Sequence, residues 1–156
     1  MFTRTLSQSA QNALALLGRN KILPENTYLA GGSSLALQFG HRISVDFDFF
    51  TPTRFDGEEL RQKLNNIGKF VFQEADEKDT LLGVFNQVKF SIFRYRYPLV
   101  FTPLNFLDIS LAAPEDIAAM KLAAIMDRGT KKDFIDWEKV KEFFRRETVR
   151  LAEKYI

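Results

Sequence analysis

Asp46 and Asp48 flank Phe47 inside Ile43 to Phe50, a β-branched and aromatic run that reads as a β-strand. Residues i and i+2 of a strand point to one face, so the spacing brings both carboxylates to one side of a sheet. Two like charges held that close repel unless a cation lies between them, and an all-oxygen, thiol-free site suits Mg²⁺ or Mn²⁺. Val45, Phe47 and Phe49 alternate with the acids, which gives one apolar and one acidic face with no obvious structural need for two Asp in mid-strand. Taken alone, Asp-x-Asp is a common tripeptide and more often a solvated strand end.

The elements around this strand narrow its chemistry. Tyr28-Leu29-Ala30 predicts a short strand that runs into Gly31-Gly32-Ser33-Ser34, followed by a short helix, Leu35 to Phe39, which Gly40 ends. Glycine at such a turn allows close approach of backbone to a phosphate, and the following helix N-terminus presents unpaired N–H groups and a positive dipole end. An ordinary turn with a Ser cap reads the same way in isolation. The order is the informative part: glycine/serine turn, short helix, acidic strand. Farther on, Pro114 suits the first position of a helix that carries Ile117, Lys121, Ala124 and Arg128 on one face and stops at Gly129. Lys131 to Phe144 reads as the next helix, with Asp133 and Asp136 at i and i+3, and a short third helix follows from Glu147. By their types alone, these charged residues also suit a helix-to-helix ion-pair network.

The remaining pattern predicts a helix over 5–19, an amphipathic helix from Asp56 to Gly68, strands at 69–75, 80–86 and 88–97, and one more strand near 105–110. Asn86-Gln87 reads as a hairpin turn. The expected architecture is α+β: one domain over 1–156, with a mixed sheet flanked by helices at about 25–111 and a helical C-terminal third at about 112–156. The chain of 156 residues has no Cys and one His, His41. Disulfides, Cys-ligated clusters, Cys nucleophiles and multi-His metal centres are therefore excluded. A formal charge of +2 is too small to imply nucleic-acid binding by bulk electrostatics. No apolar run approaches the roughly 20 residues that span a bilayer, and Met1 to Gln8 lacks a signal peptide's apolar stretch, so a cytoplasmic protein without a membrane partner is expected.

Gly31-Gly32-Ser33-Ser34-Leu35-Ala36-Leu37 and Gly40-His41-Arg42-Ile43-Ser44-Val45-Asp46-Phe47-Asp48-Phe49-Phe50 together resemble the signature of the AbiEii/AbiGii nucleotidyltransferase toxins, within the DNA polymerase beta-like nucleotidyltransferase superfamily. Asp116 to Lys121, Ala124, Arg128-Gly129 and Lys131-Lys132-Asp133-Phe134-Ile135-Asp136 are similar to that family's later motifs, in the same order. The resemblance covers 28–52 and 114–137. It implies a nucleotidyltransferase-like fold in which Asp46 and Asp48 hold Mg²⁺ (or Mn²⁺) on an NTP, while Gly31, Gly32 and Ser33 cradle its phosphates. Arg42, Lys121 and Arg128 would neutralise phosphate charge, and Asp133 and Asp136 would orient those cations or contact the nucleotide. It also implies a toxin of a type IV toxin–antitoxin or abortive-infection system, with tRNA, another RNA or a protein as acceptor and a cognate antitoxin as partner.

One departure stands out. Enzymes of this superfamily usually place a third carboxylate on a neighbouring strand, where Val88-Lys89-Phe90-Ser91-Ile92 offers Ser91. One metal suffices, or another acid such as Asp108 substitutes, or activity is weak. A catalytically degenerate binding protein is thus the alternative, and an Asp-nucleophile phosphohydrolase a more distant one. Phe93-Arg94-Tyr95-Arg96-Tyr97 interleaves basic and aromatic residues, which fits base stacking but also any half-buried strand. His41 reads as a structural residue rather than a catalytic base.

Overall fold

The computed structural model describes residues 1–76 and 79–127, with Glu142 and Arg145, and its contacts divide the chain into two units, Met1–Ala113 and Pro114–Ile156. The first unit begins with a capping choice. Ser7 is extended and accepts a hydrogen bond from the Ala10 N–H at 3.2 Å, which starts α1 (Gln8–Asn20) at Gln8. The helix expected from residue 5 is therefore shorter. Thr3–Thr5 form a 3-10 turn, and Leu6 bridges Ser44 as an isolated strand-like pair.

The strand β1 (Tyr28–Ala30) is followed immediately by α2 (Gly31–Phe39), so the glycines lie in the first helical turn rather than in a separate loop. Gly40 closes α2 in the left-handed conformation, φ 67°. The acidic strand is β2 (Asp46–Thr51). It starts later than expected because Ile43 and Val45 are 72% and 60% exposed and have no core to join. Asp56 caps α3 (Gly57–Ile67) by accepting from the Glu59 N–H at 2.9 Å. Next come β3 (Phe70–Asp76), β4 (Thr80–Phe85) and β5 (Val88–Arg94), and Asn86 and Gln87 both take positive φ in the turn that joins the last two.

The single strand expected near 105–110 is instead a hairpin. β6 (Leu104–Phe106) and β7 (Ile109–Leu111) pair antiparallel around Leu107-Asp108, whose φ angles are 53° and 60°. The seven strands form one mixed sheet in the order β3-β4-β5-β2-β1-β7-β6. β2 lies inside it, parallel to β5 and antiparallel to β1. Period-two alternation sends Phe47, Phe49, Phe90, Ile92, Leu81 and Phe85 to one face, where Leu14 and Leu17 of α1 and Leu60 and Leu64 of α3 complete a single core. Burying each such side chain contributes roughly 1.5–3 kcal/mol, and that anchoring fixes the opposite, acid-bearing face. Four of the chain's 16 Phe, Phe47, Phe49, Phe85 and Phe90, are fully buried here.

In the second unit, Pro114 opens α4 (Pro114–Asp127), with Glu115 and Asp116 in its first turn. Gly129 as a stop, the helix over 131–144 apart from Glu142, and the short helix from Glu147 lie outside the described residues. Among the described residues, no helix is long and apolar enough to cross a membrane.

Candidate active site

Asp46 and Asp48 are half-buried, while Phe47 and Phe49 between and beyond them are sealed in the core. The pair therefore faces away from the α1/α3 layer, as the alternation predicts. Ala30, the last residue of β1, is the register partner of Asp48, and this brings the first turn of α2 against the carboxylates. Gly31 takes φ +64°, and a Cβ there would lie 2.9 Å from Asp48 Oδ2. The left-handed backbone and the close approach both require glycine. Among the described residues no side chain caps α2, and its first turn holds no acid.

Arg42 occupies the next level. Its guanidinium lies directly over Gly32, where an added Cβ would collide with Nη2. Nη1 donates to the Ile43 carbonyl at 3.2 Å and to Ser44 Oγ at 3.4 Å. A guanidinium over the positive end of a helix puts two anion-favouring groups at one place, an arrangement that suits a phosphate. The Ser33 side chain acts elsewhere. Only 1% exposed, it hydrogen-bonds Ser44 Oγ at 2.8 Å and the Asp46 carbonyl, tying α2 to the start of β2. A cavity of about 490 Å³ beside this turn has Arg4 and Arg42 in its wall and neither carboxylate.

Ser91 is the register partner of Asp48 on β5. Its Oγ lies 2.7 Å from Asp48 Oδ1 and 3.1 Å from the Phe47 carbonyl, so the hydroxyl holds one carboxylate oxygen in place. The Asn86-Gln87 turn sets β5 only against β4; the pairing with β2 that brings Ser91 beside Asp48 is set by tertiary assembly and carries no local sequence signal. Asp108 does not substitute. Ser110 is level with Tyr28, and Tyr28 with Phe50, so the β6–β7 turn lies beyond the far end of β2 and two strands away from Asp48. Among the described residues, no group of three or more His, Cys, Asp or Glu side chains could share a metal ion. Two half-buried carboxylates with Asp48 Oδ2 turned to a side-chain-free Gly31 still fit a hard divalent cation, which takes few protein ligands and completes its shell with water and phosphate.

Gly31, Gly32, Ser33, Arg42, Asp46 and Asp48 are thus gathered at one end of β2. Lys121 is half-buried on α4 in the second unit. Arg128, Asp133 and Asp136 lie outside the described residues. His41 packs its ring 6.3 Å from that of Phe39.

A mixed sheet whose inner strand carries Asp-x-Asp beside a glycine-led helix defines the nucleotidyltransferase fold, and solved structures share it. The Megavirus polyadenylate synthase matches with TM-score 0.57 at 15% identity, over 85% of this chain and 31% of that one. JHP933 from Helicobacter pylori matches with TM-score 0.58 at 20% identity, over 88% and 68%. ANT(2")-Ia in complex with adenylyl-2"-tobramycin matches with TM-score 0.54 at 14% identity, over 93% and 96%. Residues 15–111 match the family described as nucleotidyl transferase AbiEii toxin, type IV TA system, and the chain belongs to that family. An uncharacterized protein of Aquifex aeolicus (strain VF5) is 45% identical over 115 residues, 70% of this chain and 54% of that protein, so the chain spans about half the length of this curated relative.

Proposed function

We propose that the chain is a Mg²⁺-dependent nucleotidyltransferase, the toxin of a type IV toxin–antitoxin or abortive-infection system, acting in the cytoplasm with a cognate antitoxin as partner. It transfers a nucleoside monophosphate from an NTP to a hydroxyl of an acceptor, tRNA or another RNA, or a protein. The observation that carries this reading is the convergence of Asp46 and Asp48 with the uncapped first turn of α2. Bound there, Mg²⁺ or Mn²⁺ would neutralise phosphate charge and orient the triphosphate. Asp46 and Asp48 would hold the ion, with Ser91 fixing the Asp48 carboxylate. Backbone N–H groups of the α2 turn and the Arg42 guanidinium would bind the β- and γ-phosphates. The acceptor oxygen forms a bond to the α-phosphorus as the bridging bond to the β-phosphate breaks, and pyrophosphate leaves in line. Lys121 and Arg128 would add positive charge for the leaving group, oriented by Asp133 and Asp136.

A second reading, a nucleotide-binding protein without transfer, is favoured by Ser91 standing where a third acid is expected. An Asp-nucleophile phosphohydrolase is weaker, because the Asp48 carboxylate adjoins a helix N-terminus suited to a triphosphate. Incubating α-labelled NTPs and Mg²⁺ with total RNA and with protein extract separates the three. Label transfer that vanishes in Asp48→Ala supports the transferase; tight binding with no transfer leaves the second reading, and phosphate release alone the third. Expression that leaves growth unchanged, with no binding by a neighbouring gene's product, would sink the toxin role.

A further inference from the structure

The acid-bearing face of the sheet continues past Asp48. Two residues along β2, about 7 Å by strand geometry, Phe50 points to the same side. Its register partners are Tyr28 on β1 and Phe93 on β5. The Tyr28 and Phe50 ring centroids are 6.0 Å apart with planes 20° from parallel, and those of Phe50 and Phe93 are 5.6 Å apart. The row extends beyond β5. The Tyr95 N–H donates to the Thr51 carbonyl at 2.8 Å, the Tyr95 ring lies 5.9 Å from Phe50, and Tyr97 lies 5.3 Å from Tyr95. Tyr28 is buried, Phe50, Phe93 and Tyr95 are half-buried, and Tyr97 is 70% exposed, so the rings step from the interior to solvent. Arg94, on the alternate side, is engaged with Asp79 at 3.3 Å.

The opposite end of this line is the first turn of α2. Ser33 meets Ser44 and the Asp46 carbonyl there, and Arg42 covers Gly32. Along one face the order is therefore helix N–H groups and guanidinium, then two carboxylates, then aromatic rings. A nucleoside triphosphate carries its parts in the same order: terminal phosphates, α-phosphate, aromatic base. We infer that Phe50, Tyr95 and Tyr97 form the stacking subsite for the donor nucleotide's base, continuous with the carboxylate pair. The inference rests on the nucleotide-binding reading of Asp46 and Asp48. Stacking engages the π-face that every base possesses, so this subsite binds all four NTPs with similar affinity.

The test is calorimetric titration of the full chain and its Tyr95 and Tyr97 variants, in Mg²⁺, with each NTP, with inorganic tripolyphosphate and with a single-stranded oligonucleotide. Expected for the wild type is tighter binding of NTPs than of tripolyphosphate. Tyr95→Leu should weaken NTP binding about 5- to 100-fold, from the usual worth of a base–aromatic stack, and leave tripolyphosphate binding unchanged. Tyr95→Phe should retain wild-type affinity, and Tyr97→Ala, at an exposed position, should reduce it without unfolding risk. Equal affinity of the wild type for NTP and tripolyphosphate overturns the inference. So does a Tyr95→Leu protein that is less heat-stable yet keeps the wild-type affinity ratio, since the row then serves packing alone. Loss of single-stranded oligonucleotide binding with NTP binding intact would assign the rings to the acceptor and overturn it equally. If neither NTP nor tripolyphosphate binds, it is the nucleotide reading itself that fails.

Discussion

The sheet unit and the segment that begins at Pro114 hold the two halves of the candidate machinery on different footings. In the sheet unit each side chain is positioned by backbone pairing. Asp48 is set opposite Ala30 and Ser91, and the core residues Phe47 and Phe49 leave the acids only one face to occupy. The family match, residues 15–111, lies within this unit. In the helical segment, Lys121 is placed on α4, and the other three candidates are known from their spacing. The contrast separates the candidate anion and cation site that the sheet positions from the positive charge proposed to follow the leaving group.

Four substitutions break or sharpen that contrast. Asp48→Ala should lower label transfer the most, by about 10³-fold or beyond, since one of the two candidate metal ligands is lost, read by single-turnover assay. Lys121→Ala should cost about 10²- to 10³-fold in transfer while leaving NTP affinity within a few-fold; unchanged transfer would remove Lys121 from catalysis. Ser91→Ala leaves Asp48 Oδ1 without its hydroxyl donor and should raise the Mn²⁺ concentration needed for half-saturation about 10- to 100-fold, measured by Mn²⁺ electron paramagnetic resonance. Unaltered Mn²⁺ affinity would reduce Ser91 to sheet packing. Gly32→Ala should have the smallest effect: the new methyl displaces the far end of the Arg42 side chain, and NTP affinity falls about tenfold with little change in melting temperature.

What was legible in the sequence follows the same division. The alternation through Asp46 to Phe50 specified which residues enter the core, because strand geometry leaves no other assignment. The order of β1, α2 and β2 was legible from Gly31 and Gly40, residues whose backbone freedom is used at positive φ. The β6–β7 hairpin was not, since Leu107-Asp108 lacks the Asn-Gly or Asp-Gly signal for such turns and is held in place by its context. Nor was the work of the Ser33 hydroxyl, which sequence suggested for phosphate and which bonds Ser44 and the Asp46 carbonyl. Hydroxyls serve caps, clamps and ligands alike, and only tertiary position distinguishes them.

The parallel pairing of β2 with β5 also fixes when the site can exist. Asp48 and Ser91 are 43 positions apart, and the strand that steadies the carboxylate leaves the ribosome well after the one that bears it. Nonlocal parallel pairings form slowly because the intervening chain must first be closed into a loop. A nascent or partly unfolded chain therefore carries Asp-x-Asp without its geometry, and the carboxylate pair takes up its arrangement only when the sheet has assembled through β5.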